Sequence, residues 1–181
     1  MNIKPTSIPE VLMLEPTAYE DERGYFMETF RASDFQKNDV NVDFVQDNQS
    51  KSKQGTLRGL HYQLNFPQGK LIRVIHGEIF DVAVDLRKSA STFGCWVGAK
   101  LSSKNKKQLW VPAGFAHGFY VLSEEAEVFY KCTEYYHPEH DRNLLWNDEE
   151  LAIEWPLIHS APILSAKDQQ ASPFSKADLF Q

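Results

Sequence analysis

Residues 56–63 read TLRGLHYQ, a half-apolar run that holds a permanent cation and, three residues on, a titratable imidazole. Arginine grips anions through a planar fork of donors, and a neutral imidazole near its pKa at pH 7 is suited to removing a proton. One histidine in a strand is ordinarily structural, hydrogen-bonded at the edge of a core. Here His61 is accompanied by Arg58 and Gln63, and by the upstream Gln46 and Asn48, whose separation of two puts them on one strand face. Strict alternation sends Arg58 and His61 to opposite faces. Aiming both at one place needs a bulge or kink between them, and Gly59 is the residue that permits one. An unbroken ladder through Gly59 would contradict this.

Lys70 opens the next apolar run after the turn NFPQG, with Ile72 and Val74 as its face-mates. Two placements stay open for it: a solvated strand mouth, or a pocket mouth lined by those two side chains. In PAGFAHGF, Pro112, Gly114 and His117 form a tight turn that carries a histidine into the following strand. This P-x-G-x-x-H pattern is half of what metal-binding cupin barrels display. The other half is H-x-H followed by a glutamate, and the matching run here, His61-Tyr62-Gln63, lacks the second histidine. Zinc and iron sites usually need three protein ligands, so no metal is expected and a metal-free cupin is the better reading. By spacing alone Tyr130, Tyr135 and Tyr136 are sheet aromatics and Asp168 an exposed carboxylate.

The elements that must hold these residues read as strands. VLMLEP, RGYFMETF (with Phe26 and Glu28 on one face), VDFVQDN, TLRGLHYQL, KLIRVIH, EIFDVAVDL, CWVGAKLS, QLWVPAG, HGFYVLS and EVFYKCTEY follow one another, separated by turn signals such as HGE and SSKNKK. In EIFDVAVDL the alternation places Phe80, Val82, Val84 and Leu86 on one side and Asp81, Ala83 and Asp85 on the other. ASDFQKND predicts a short helix with Ser33 or Asp34 as N-cap, and SAKDQQASPFSKADLF predicts turns or short helix over the barrel. Many short strands without intervening amphipathic helices predict an all-β fold, a cupin-like jelly-roll barrel with a few short peripheral helices, in one domain spanning 1–181.

A formal charge of −6 leaves no basic face for phosphates, which excludes nucleic acid as the main partner but not a small anion held by a local cluster. The N-terminal apolar run, residues 11–14, is too short for a signal-peptide core or a membrane span. Cys95 and Cys132 make no disulfide framework, and a reduced, cytoplasmic setting is expected.

From RGYFMETF through QDNQSKSKQGTLRGLHYQ, QGKLIRVIHGEIFDVAVDLR and VPAGFAHGFYVL to YKCTEYYHPEHDRNLLWND and LSAKD, the chain resembles the dTDP-4-dehydrorhamnose 3,5-epimerases over nearly its whole length. The resemblance implies a metal-free jelly roll, usually a homodimer, that needs no cofactor. It inverts C3 and C5 of a dTDP-linked 4-keto-6-deoxy sugar. It implies His61 as general base, Asp168 as its carboxylate partner, Tyr130 as acid and Lys70 at the ketone oxygen. Arg23, Glu28, Gln46, Asn48, Arg58, His117, Asp141 and Lys167 fall where the family contacts the nucleotide-sugar, and Tyr136 resembles the aromatic that stacks on thymine. Where Asp141 stands the family often has glutamate.

These residue types suit the chemistry. A proton beside a ketone leaves readily when a fixed cation stabilises the developing enolate oxygen in a water-poor site. Inversion then needs a proton returned to the opposite face of the ring. Other readings are a C3- or C5-only epimerase, a 4-keto sugar isomerase, a non-catalytic nucleotide-sugar-binding cupin, and a metal-dependent cupin enzyme. Tyr130 and Lys70 together favour double epimerisation; His61 with Asp168 argues against a mere binder.

Overall fold

The computed structural model describes residues 1–181. The chain begins with β1 (Asn2–Pro5), β2 (Leu12–Glu15), β3 (Ala18–Asp21), β4 (Gly24–Met27) and the helix α1 (Ala32–Gln36). Then come β5 (Gln46–Lys53), β6 (Leu57–Gln63), β7 (Lys70–His76), β8 (Glu78–Asp85) and β9 (Trp96–Ser102). After β10 (Gln108–Val111), β11 (Phe115–Val121), β12 (Glu125–Cys132) and β13 (Asp141–Asn143), the short helix α2 (Ala166–Gln169) lies in the C-terminal segment. A six-stranded sheet in the order β1-β2-β10-β7-β12-β5 faces a five-stranded sheet in the order β13-β6-β11-β8-β9, and β3-β4 form a separate hairpin. The result is the all-β, cupin-like jelly roll the sequence predicts.

Alternation explains how each sheet is covered on both sides. Between the sheets, Ile72 and Val74 of β7 and Val128 of β12 pack against Ile79 and Ala83 of β8 and Phe115 and Phe119 of β11. Val82, Val84 and Leu86 point outward with Phe80, as the sequence pattern requires, and meet Leu144, Leu151 and Phe174 of the C-terminal segment. Behind the other sheet, Leu12, Leu14, Leu71 and Trp110 receive Phe35 of α1. Side chains facing inward near one end of the sandwich are polar instead, and there the site lies.

Some boundaries differ from expectation. VDFVQDN is not a strand over its length: β5 starts at Gln46 and continues through SKSK, while residues 41–45 are irregular. Pairing with β12 along all eight residues of β5, not local propensity, makes this strand. RGYFMETF is strand only over β4, whose partner β3 was not anticipated. Arg31, without a side-chain cap, occupies the N-cap of α1, so Ser33 and Asp34 lie inside the first turn. β1 and β13 also escape the sequence pattern. No helix is long and apolar enough to cross a membrane.

Candidate functional site

Gly59 does break the ladder. His61 pairs with His117 and Arg58 with Phe119, so three steps along β6 oppose two along β11. Gly59 has φ +128°, and a Cβ there would sit 2.5 Å from the Cα of Gly118. Only glycine admits that conformation and that approach together. The extra residue turns Arg58 to the same side as His61. Arg58 Nε donates to Ser52 Oγ on β5 at 3.0 Å, across to the opposite sheet, while His61 lines a pocket at the end of the barrel.

That pocket, about 280 Å³, gathers Gln46 and Asn48 from β5, His61 and Gln63 from β6, Lys70 from β7 and Tyr130 from β12. Gln68, Tyr136 and Asp141 complete its rim. Of the two placements open for Lys70, the structure takes the pocket, and Ile72 and Val74 continue its face into the core.

His61 Nε2 lies 2.6 Å from Asp168 Oδ1, and its Nδ1 is the ring nitrogen left free of protein partners. Asp168 is only 3% exposed. Asn143 Nδ2 donates to the same oxygen at 3.2 Å, and Ser165 Oγ donates to the other at 2.8 Å. Ser165 also caps α2, accepting from the Asp168 backbone N–H. Burial alone would raise the Asp168 carboxyl, but the hydrogen bond and charge of His61, with Ser165, outweigh it and hold it below the ordinary carboxylate value. The pair can therefore fix the imidazole and stabilise the cation it becomes on taking a proton. A second pair, His117 Nε2 to Asp81 Oδ1 at 2.8 Å, is buried beside it on the same sheet face.

Opposite the histidine stand a cation and a phenol. Burial pushes the Lys70 ammonium below its ordinary pKa, against the pull of nearby Cys132, Asp141 and Asp81. Burial raises the Tyr130 phenol, so it keeps its proton at neutral pH. At the rim, Tyr136 Oη donates to Asp141 Oδ2 at 2.7 Å, and Lys167 Nζ holds the same oxygen. The bond to Asp141, aided by burial, pushes Tyr136 up to about 12.

Arg23 and Glu28 are not brought to this pocket. Arg23 ends the β3–β4 hairpin, 85% exposed and paired with Asp21, while Glu28 holds Arg31 through two bonds of 2.9 and 2.7 Å. The sequence reading also passed over Gln68 and Asn143, and gave Gln63 and Asp81 no partners. The Ser165-x-x-Asp168 spacing is a helix-start signal that could have drawn attention to the capped carboxylate. No spacing rule could have joined Asp168 to His61 across 107 residues.

A jelly roll that presents a histidine–carboxylate pair, a partly buried ammonium and a protonated phenol to one polar pocket defines a cupin-like acid–base isomerase. The family model described as dTDP-4-dehydrorhamnose 3,5-epimerase matches residues 5–176. The epimerase of that name from Pseudomonas aeruginosa is 54% identical over 175 residues, 96% of each chain. The crystal structure of dTDP-6-deoxy-D-glucose-3,5-epimerase from Legionella pneumophila, in complex with dTDP-4-keto-L-rhamnose, is 50% identical with a TM-score of 0.96, covering 99% of this chain and 97% of that one. A 3'-monoepimerase from Streptomyces bikiniensis in complex with dTDP-quinovose is 31% identical with a TM-score of 0.87, covering 95% and 87%. The chain belongs to the dTDP-4-dehydrorhamnose 3,5-epimerase family.

Proposed function

We propose that this chain converts dTDP-4-dehydro-6-deoxy-D-glucose to dTDP-4-dehydro-L-rhamnose by inverting C3 and C5, with each catalytic role carried by the site residues above. His61 removes the proton from carbon, and Asp168 stabilises the imidazolium that forms. Lys70 stabilises the C4 oxygen as it takes up the electron pair of the broken C–H bond. Tyr130 returns a proton to the opposite face, the C4 ketone re-forms, and solvent resets both groups. The ketone is the electron sink throughout, so atoms and electrons balance without a redox partner. Rotation of the sugar ring offers the two carbons, C3 and C5, to the same groups in turn.

Arg58 and Lys167 meet the diphosphate, Tyr136 stacks on thymine, and Gln46, Asn48, His117 and Asp141 hold the remaining polar groups. Arg23 and Glu28 join only if a second copy brings them, and we therefore infer a homodimer whose β3–β4 hairpins cross between subunits. Free thiols at Cys95 and Cys132 are compatible with the cytoplasmic setting we infer.

The observation that carries the reading is the His61–Asp168 pair at 2.6 Å sharing one pocket with Lys70 and Tyr130. The test is incubation with the dTDP-linked 4-keto-6-deoxyglucose in heavy water, followed by NMR at C3 and C5. Deuterium at both carbons, with L-rhamnose recovered after a reductase is added, is the expected result. Deuterium at one carbon alone would make the protein a mono-epimerase. No exchange at either would leave a nucleotide-sugar binder.

A further inference from the structure

The rim segment at residues 135–137 carries Tyr136, yet no strand or turn holds it from Tyr135 O to His137 N–H. The Tyr136 N–H donates to Gln46 Oε1 at 3.0 Å, and the His137 N–H donates to Gln63 Oε1 at 2.6 Å. Gln63 Nε2 donates in turn to the Tyr135 carbonyl at 3.1 Å and to the Phe66 carbonyl at 2.7 Å. One buried amide, 3% exposed, thus ties two rim segments together and anchors both to β6, two residues beyond His61. With no strand or turn to pair these backbone groups, side chains supply the partners.

We propose that Gln63 is a positioning residue for the nucleotide: it fixes the backbone on either side of Tyr136 and so sets the ring against the base. The inference rests on the reading of Tyr136 as the thymine-stacking aromatic. A flat ring contributes most when held in place before the ligand arrives, since ordering it on binding subtracts from affinity. Gln63 offers an unusual lever, because it uses its acceptor on one side of Tyr136 and one donor on the other, while its second donor holds the Phe66 carbonyl. Removing the amide frees the rim without touching the ring, the imidazole or the lysine.

The experiment is calorimetric titration of dTDP into wild type, Gln63→Met, Tyr136→Ala and the double variant, with kcat, KM and the pH profile of kcat for those that turn over. Gln63→Met keeps side-chain length and loses all three hydrogen bonds. It is expected to weaken dTDP binding about tenfold, within what the loss of one base–aromatic stack produces. KM should rise in step, while kcat at saturation and its pH profile hold. In the double variant the second change should add little to Tyr136→Ala, because both act through one ring.

Additive losses in the cycle, or unchanged dTDP affinity in Gln63→Met, would overturn the proposal. So would a changed pH profile, which would make Gln63 a contact of the reacting sugar. If Gln63→Met does not fold, Gln63→Glu is measured instead. It keeps the acceptor for His137 and loses the two donors, and a smaller weakening is expected. Failure of both to fold would also overturn the proposal, since the amide would then serve the fold as a whole. Wild type that binds no dTDP would refute the substrate assignment instead, so the two failures read differently.

Discussion

At the scale of single residues, Lys70 and Tyr130 separate by the direction in which burial moves them. The ammonium is pushed below its ordinary 10.5, and the phenol above its ordinary 10.0. On the roles proposed here turnover needs both protonated, so the loss of kcat that belongs to Lys70 on raising pH falls below 10.5. A pH series of kcat should find that limb in wild type and in Tyr130→Phe, and should not find it in the residual rate of Lys70→Met. Removing the cation from the enolate oxygen is expected to lower kcat about 10²–10³-fold. Stability should move the other way. A cation whose pKa is depressed on folding binds its proton less well in the native state, so it lowers stability at every pH below that folded value. Lys70→Met should therefore melt no lower than wild type at pH 7 by calorimetry. A clear drop in melting temperature would mean that the ammonium is held by favourable contacts. Tyr130→Phe poses a different question, since proton removal and proton return are separate steps. In heavy water it should still wash deuterium into C3 while net inversion slows about 10²–10⁴-fold, the range for a lost general acid. Unimpaired inversion would remove Tyr130 from the acid role.

At the scale of elements, the bulge in β6 decides whether Arg58 and His61 meet the same ligand. A methyl group at Gly59 would lie 2.5 Å from Gly118 Cα and 2.9 Å from the His117 carbonyl oxygen, both backbone, at φ +128°. Neither neighbour can swing aside as a side-chain tip would. Gly59→Ala should cost about 2–5 kcal/mol in urea denaturation, adding backbone strain to overpacking, and should lower activity even where the chain stays folded. A loss under about 1 kcal/mol would show that the ladder tolerates an ordinary residue there. This bulge was legible in advance, because a cation, a glycine and a base in one strand pose a parity problem with few solutions. The outward face of β8 was legible for the same kind of reason: strict alternation of Phe80, Val82, Val84 and Leu86 leaves one burial pattern. β5 was not. Its eight residues, QDNQSKSK, contain no apolar side chain. They form a strand because β12 pairs with them and because their inner face lines the pocket, facts that exist only in three dimensions. The Asp168 partnership likewise came from resemblance to a family and not from spacing, since chain separation says nothing about which carboxylate a barrel will set behind a histidine.

At the scale of the whole molecule, two features point beyond one chain. The formal charge is −6, so attraction of an anionic substrate must come from the local field of Lys70, which lines the pocket, with Lys167 on the rim carboxylate of Asp141 and Arg58 on the same sheet face as His61. Meanwhile the β3–β4 hairpin, joined to neither sheet, exposes Tyr19, Tyr25 and Phe26 at 68%, 55% and 74% beside Arg23. Aromatic rings so displayed suit an interface between copies, and Arg23 with Glu28 would then complete the partner's pocket. The hypothesis makes a quantitative demand. Take His61→Ala and Arg23→Ala, each expected to be impaired alone, and co-express them so that subunits assemble at random. If Arg23 serves the partner's site, a mixed dimer has one site with both side chains intact, because the chain that keeps His61 receives Arg23 from its neighbour. Half of randomly formed dimers are mixed, so activity should recover to about a quarter of wild type. If Arg23 serves its own chain's site, or no site, every mixed dimer holds one site without His61 and one without Arg23, and no recovery above the separate variants appears. Sedimentation of the same samples supplies the control. A monomer in solution at assay concentration would sink the shared-site model whatever the rates, whereas a dimer without recovery would keep the assembly and return Arg23 to its pairing with Asp21.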